Sequence, residues 1–231
     1  TNIDSLTVSA QNTVLDGNGA QGDDGNNLFG LLVQDANSVG DISVDGVTFE
    51  NLGENSGNED VSAVELNAGE TVTVTDLTVN KLNSTSASGD VLKLSSDTIA
   101  SVTLDGVSAT DVVNADGIEV DDVADGSQNF DLTFADIFSV DGVDSSNKAG
   151  TVVNFNDPGS SGVQSNIELT SLEASNVTDG VDVSSDADFD NDFQLDINNV
   201  EFTDVGSHGV LVSAEGIGDL SINTVTVTLD G

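Results

Sequence analysis

The chain has 231 residues, 36% of them hydrophobic, and sets 42 acidic residues against 3 basic ones, for a formal net charge of -39 at pH 7. A mean hydropathy of -0.05 fits one packed domain rather than a disordered chain, while the charge excludes binding to a phosphate backbone or an anionic lipid surface. Cys, Met, Trp, Tyr and Arg are absent, which removes disulfides, thiol chemistry and zinc-thiolate sites, and no apolar run approaches the ~20 residues of a membrane helix.

Thr1 opens the chain without an initiator Met or a basic leader, as expected of a mature, processed piece. Residues 1–29 fit the repeat poorly. Ile3, Leu6 and Val8 are possible strand residues, followed by a Gly/Asp/Asn-rich stretch from Asp16 to Asn27. This segment is expected to be an N-terminal cap or partial coil, with the repeats filling 30–231.

From Ile42 onward one pattern recurs: apolar, any, apolar, two turn residues, apolar, any, apolar, two spacers, apolar. It starts at Ile42, Val72, Val102, Leu132, Ile167, Leu195 and Leu220. The first copy reads Ile42, Val44, Val47, Phe49, Leu52, and the second Val72, Val74, Leu77, Val79, Leu82. The fourth is degenerate: Leu132, Phe134 and Ile137 fit, but Ser139 and Gly142 fall where apolar residues belong. A second short pattern precedes most copies, as in Gly117, Ile118, Val120 and in Gly180, Val181, Val183.

Residues two apart on a flat strand share a face and residues three apart do not. Val44 and Val47 can both point inward only if the chain turns between them. The intervening pairs include Asp45-Gly46, Asp105-Gly106, Thr170-Ser171 and Asn198-Asn199, mostly residues tolerant of turn conformations. The pattern predicts an all-β solenoid, a parallel β-helix of about seven to eight coils of roughly 30 residues, each with three short strands. No single coil buries enough apolar surface to offset the entropy of ordering it, so the coils must be contiguous.

Coil length, corner chemistry and strings such as Val14-Leu15-Asp16-Gly17-Asn18-Gly19 resemble the right-handed parallel β-helix superfamily, the pectate-lyase-like or pectin-lyase-like fold. The resemblance covers residues 14–231 and implies the fold and its handedness. It leaves function open, because the superfamily includes polysaccharide lyases, hydrolases, esterases, phage tailspikes, adhesins and surface-layer proteins.

Polygalacturonase-like members carry Asn-Thr-Asp-Gly, an Asp-Asp pair, Gly-His-Gly and Arg-Ile-Lys, one coil apart. Asn176-Val177-Thr178-Asp179-Gly180-Val181-Asp182 and Gly206-Ser207-His208-Gly209 resemble the first and third of these. They lie one coil apart rather than two, no Asp-Asp coil intervenes, and no Arg is present to grip a uronate. Asp179, Asp182 and His208 are therefore the catalytic candidates of a runner-up reading, beside the simpler reading as corner residues. Ser207, next to His208, invites comparison with a Ser-His-Asp relay, which residues adjacent on a turn rarely assemble. Lys81, Lys93 and Lys148 are expected to be solvated.

Asp186, Asp188, Asp190 and Asp192 alternate, spacing carboxylates about 7 Å apart on one face if extended, or gathering them round a cation if looped. They are the candidate metal ligands, with calcium the candidate ion. An EF-hand is excluded by Asn191 where Gly is needed and Ile197 where the bidentate Glu is needed. Asp121, Asp122 and Asp125, and Glu54, Glu59 and Asp60, form lesser acidic clusters. Asn83-Ser84-Thr85 and Asn176-Val177-Thr178 are glycosylation sequons.

Outward carboxylates on neighbouring coils lie within the ~8 Å Debye length of physiological salt, which shrinks to about 3 Å at 1 M. The charge thus suits brine, seawater or a calcium-rich envelope. Together these features lead to the expectation of a non-enzymatic structural or adhesive protein, extracellular or at the cell surface: a surface-layer, adhesin or filament segment. Its expected partners are further copies or flanking repeats joined through the β-helix ends, and cell-surface glycans, with no nucleic acid and no membrane insertion. The alternative is a polysaccharide-active hydrolase or lyase on acidic glycans.

Overall fold

The computed structural model describes residues 3–11, 14–16, 28–36, 39–53, 60–84, 89–96, 98–121, 130–157, 165–183, 193–213 and 217–229. Among these residues there are nineteen strands and no helix, and every pairing between named strands is parallel. The chain is an all-β parallel solenoid whose strands return, turn after turn, to three faces.

The first face is built by β1 (Ile3–Ser9), β4 (Val39–Asp45), β7 (Thr71–Asn83), β9 (Ser101–Val113), β11 (Phe130–Phe134), β14 (Ser165–Thr170), β17 (Phe193–Val205) and β19 (Ile217–Leu229). The second carries β2 (Val14–Asp16), β5 (Thr48–Leu52), β12 (Phe138–Gly142) and β15 (Leu172–Ser175), interleaved with the later halves of β7, β9, β17 and β19, which run on past the bend. The third is a separate seven-stranded sheet of β3 (Leu28–Ala36), β6 (Val61–Ala68), β8 (Gly89–Leu94), β10 (Ala115–Asp121), β13 (Ala149–Asp157), β16 (Val177–Val183) and β18 (Val210–Val212).

The expected inward residues form the core. Ile42, Val44, Val47 and Phe49 are at most 1% exposed, and their counterparts up to the copy that starts at Leu195 are buried to within a few per cent, once the longer corner of the fourth copy is allowed for. Register explains why the repeat works: Ile42 stacks on Val72, Val72 on Val102, Val102 on Leu132, Leu132 on Ile167 and Ile167 on Leu195. Each column is a continuous apolar stack, and each turn adds ladder hydrogen bonds to its neighbours.

The corner lies where the spacing requires it. In six of the seven copies the second residue of the turn pair has positive φ: Gly46, Asp76, Gly106, Ser171, Asn199 and Thr224, with φ between 50° and 75°. A second corner lies in the two-residue spacer, at Asn51, Lys81, Asp111, Asn176 and Asp204, with φ between 52° and 68°. Asn and Asp tolerate this left-handed region better than other non-Gly residues.

Two expectations are corrected. About five turns are complete, rather than seven to eight coils. The turns that begin at β4, β7, β9, β11 and β14 are each flanked on both sides and closed over a buried interior. At the outer turns, Val14 and Leu15 are exposed, Val210 and Val212 are half-buried, and Leu220 and Ile222 are exposed.

The fourth copy has a corner one residue longer, and of its two departures only Gly142, opposite Val112, stands at an inward position. Phe138 pairs with Val107 and Val140 with Ala109, and both are fully buried, while Ile137 is 45% exposed. The inserted residue moves the inward positions from Ile137 and Ser139 to Phe138 and Val140. Ser139 instead faces outward and donates to the Ser108 hydroxyl at 3.2 Å.

Candidate functional site

On the third face, six turns carry the same five-residue frame, beginning at Ser62, Asp90, Asp116, Thr151, Asp179 and His208. The third and fifth residues of the frame are the apolar pairs of the second short pattern. Val64, Leu92, Ile118, Val153, Val181 and Val210 stack in one column. The intervening fourth residue faces outward: Glu65, Lys93, Glu119, Asn154, Asp182 and Leu211 form a second column.

The first residues of the frame form a further polar column, and hydrogen bonds step along the solenoid axis within and between it and the outward column. Ser62 Oγ donates to Asp90 Oδ2 at 3.4 Å. Asp116 accepts from the Thr151 backbone N at 2.7 Å and from Asn154 Nδ2 at 2.9 Å. Lys93 Nζ pairs with Glu119 Oε2 at 3.0 Å and lies 3.9 Å from Asp121 Oδ2. Asp90 is fully buried and Asp116 nearly so.

Burial is the largest influence on both acids. It pushes the Asp116 carboxyl up to about 6, against the hydrogen bonds from Asn154 and Thr151 and with the help of Glu119 and Asp179. Asp90 is held well above the usual carboxylate range, first by burial and then by the charges of Glu119 and Asp116, with Lys93 opposing. At Lys93 burial favours the neutral amine, but Glu119, Asp90 and Asp121 outweigh it and raise its value.

Among the runner-up catalytic residues, the fold brings Asp179 and His208 together. Asp179 Oδ1 accepts from the His208 backbone N at 2.8 Å and lies 3.0 Å from His208 Nδ1. Ser207 Oγ meets the same Nδ1 at 2.8 Å. A Ser-His-Asp relay needs the nucleophile on one ring nitrogen and the carboxylate on the other, so these three residues do not form one. Asp182 sits in the second polar column, between Asn154 and Leu211, and its buried Oδ1 has no hydrogen-bond partner among the described residues.

Two of the three lysines depart from the solvated expectation. Lys93 is three-quarters buried and ion-paired, Lys148 Nζ donates to the Asp204 carbonyl at 3.0 Å, and Lys81 occupies a left-handed corner. The candidate metal ligands Asp186, Asp188, Asp190 and Asp192 lie outside the described residues. Among the described residues no group of three His, Asp or Glu side chains is arranged to hold a metal ion.

Two recesses elsewhere are polar. One of about 250 Å³ is lined by Asp141, Glu173, Ser175, Glu201 and Thr203. The other, of about 310 Å³, is lined by Asn166, Gln194, Asp196, Asp219 and Ser221 with Leu195 and Leu220.

The polar columns were missed by sequence reasoning because it grouped acids by nearness along the chain. The usable signal was position within the turn: aligning the second short pattern places Ser62, Asp90, Asp116, Thr151, Asp179 and His208 at one site. No protein-family model, curated protein or solved structure matches this chain.

Proposed function

We propose that the chain is a non-enzymatic structural or adhesive segment of an extracellular or cell-surface protein, of the surface-layer, adhesin or filament kind within the pectate-lyase-like β-helix superfamily. The observation that carries this reading is how the outward polar side chains are used. They bond to their equivalents on the next turn: Thr110 Oγ1 donates to Asn80 Oδ1 at 3.2 Å, Asn80 Nδ2 to Glu50 Oε1 at 3.4 Å, and Ser175 Oγ to Asp141 Oδ1 at 2.8 Å. Such ladders stiffen a rod along its axis. An active site would instead gather side chains at one point in a concave pocket.

The acidic surface suits a salt- or calcium-rich medium, where counter-ions screen repulsion between stacked carboxylates. The apolar side chains Leu220, Ile222, Val227 and Leu229 on β19 are 37–59% exposed, a surface suited to stacking against a further turn, from flanking repeats or a second copy. Electron microscopy of the purified chain in high salt with Ca²⁺, against the same sample in EDTA, tests the reading. Long rods of uniform width support it. Short isolated particles under both conditions remove the self-assembly part.

The contact between Asp179 and His208 favours one alternative, a hydrolase or lyase on acidic glycans with Asp179, Asp182 and His208 as its polar groups. Depolymerisation of polygalacturonate or alginate, lost in Asp179→Asn, would replace the structural reading with this one.

A further inference from the structure

β1 and β19 are the outer strands of the first face: among the described residues β1 pairs only with β4, and β19 only with β17. The outer edge of each is a row of backbone N–H and C=O groups that no described strand receives, a feature that folded proteins blunt with charge, proline or a short strand. Neither edge is blunted in this way. β19 runs for 13 residues without Lys or Pro and with Asp219 as its single acid, whereas β17 beneath it carries Asp196, Glu201 and Asp204. β1 has Asp4 as its one charged residue. In a chain of net charge -39, both edges to which a strand could add are almost free of charge. Apolar exposure has the opposite distribution. With Ile137 and Val143 as the exceptions, the large apolar side chains exposed among the described residues lie on the first and last turns.

The two edges also match each other. Leu6 and Val8 begin the inward columns that Leu220 and Ile222 end, and Leu15 begins the column that Val227 ends. With β1 of a second copy laid parallel on β19, every one of these columns continues through the joint. The outward row there becomes Asp219 beside Ser5, Ser221 beside Thr7 and Asn223 beside Ser9, with no carboxylate directly opposite another. The third face stops one strand short, at β18, so the joint is made on the first two faces.

We propose that the chain docks head to tail with a second copy of itself, β1 and β2 of one copy extending the sheet edge that β19 of the other presents. The proposal rests on the structural reading above and names its partner. The two docking surfaces are unlike patches of one molecule, so the contact does not close on itself and copies add along one axis into an open filament. Repulsion between two highly acidic bodies opposes the contact in dilute buffer, and molar salt screens it.

The chain has no Cys, so introduced thiols report the joint alone. Thr7 and Ser221 are outward and meet across the joint at the ~4.8 Å spacing of paired strands, inside the roughly 4.4–6.8 Å Cα separation of a disulfide. The test is oxidation of the full chain in about 1 M NaCl carrying Thr7→Cys, Ser221→Cys or both, read on non-reducing gels, beside sedimentation of wild type and Ile222→Lys. The double variant is expected to form a ladder of covalent dimers, trimers and longer species. A mixture of the two single variants is expected to form dimers that neither forms alone. Ile222→Lys, at a position 49% exposed in the single chain, is expected to abolish both the ladder and the sedimenting oligomers, although it reduces the net charge, because it buries an ammonium in the joint. Wild type that sediments as a monomer at every concentration in high salt overturns the proposal. So do dimers from one single variant alone in the yield of the mixture, or oligomers that Ile222→Lys leaves unchanged. A monomeric chain leaves the structural reading standing, because that reading falls on depolymerisation of an acidic glycan instead.

Discussion

Asp179 holds His208 through two hydrogen bonds to one oxygen: its Oδ1 takes the backbone N–H at 2.8 Å and faces Nδ1 at 3.0 Å. The carboxylate thereby ties the turn that leads into β18 to the preceding turn of the solenoid, alongside the backbone bonds from Gly180 N to His208 O and from Ser207 N to Thr178 O. Asp179 is a structural strap on this reading. Asp179→Ala is expected to cost about 1–2 kcal/mol, measured by denaturant unfolding, with Asp179→Asn losing less because its amide oxygen still accepts from the backbone N–H. Neither wild type nor variant is expected to depolymerise polygalacturonate or alginate.

The longer corner of the fourth turn gives a second test. Phe138 is fully buried and packs edge-on against Phe134, with ring centroids 5.2 Å apart, while Ile137 is 45% exposed. Phe138→Ala is expected to destabilise by roughly 3–5 kcal/mol and Ile137→Asn to stay within about 0.5 kcal/mol of wild type. The reverse order would mean that Ile137 is the inward residue.

These two residues also show where the sequence stops being legible. A period near thirty and the apolar spacing disclosed the solenoid, its first corner and most of the core, because stacking makes every turn solve the same packing problem. One extra residue in the corner leaves the stacking intact but moves the next two inward positions to Phe138 and Val140, before a shorter spacer restores register at Gly142 opposite Val112, and a fixed template reads Ile137 and Ser139 as inward instead. The polar columns were harder for a related reason. Lys93 and Glu119 are 26 residues apart in sequence, and only the register of β8 on β10 makes them partners.

Corner residues with positive φ should respond to backbone chemistry rather than to contacts. Ser171 has φ 58°, a conformation that costs a residue with a Cβ more than it costs Gly. Ser171→Gly is expected to raise stability by up to about 1 kcal/mol, offset in part by the freer unfolded chain. Ser171→Val is expected to lower it by about 1–2 kcal/mol. Thermal melts of the three proteins give the order directly.

Asp116 provides a test of pH dependence. Its carboxyl titrates at about 6 in the folded chain, against roughly 3.9 for an ordinary Asp. A raised value means that the folded state binds the extra proton, so this contribution is complete below about pH 4 and declines as pH rises through about 6. Asp116→Asn is expected to flatten the stability profile between pH 4 and 7 by about one proton. It also gives up one bond, because an amide cannot accept from both Thr151 N and Asn154 Nδ2 with separate oxygens as the carboxylate does.

The net charge of -39 makes stability depend on ionic strength. Outward acids recur at equivalent positions of adjacent turns, as with Glu168 and Asp196 or Glu173 and Glu201, and strands ~4.8 Å apart keep such pairs within one Debye length at physiological salt. Raising NaCl from about 0.05 to 1 M shortens that length from over 10 Å to about 3 Å, so the melting temperature is expected to climb through this range by several degrees. Ca²⁺ at millimolar concentration is expected to raise it further at constant ionic strength if carboxylates share the ion, and to equal Mg²⁺ or Na⁺ if screening is the whole effect. A melting temperature that stays flat from low to molar NaCl, with and without Ca²⁺, would remove adaptation to salt as the reason for so many carboxylates.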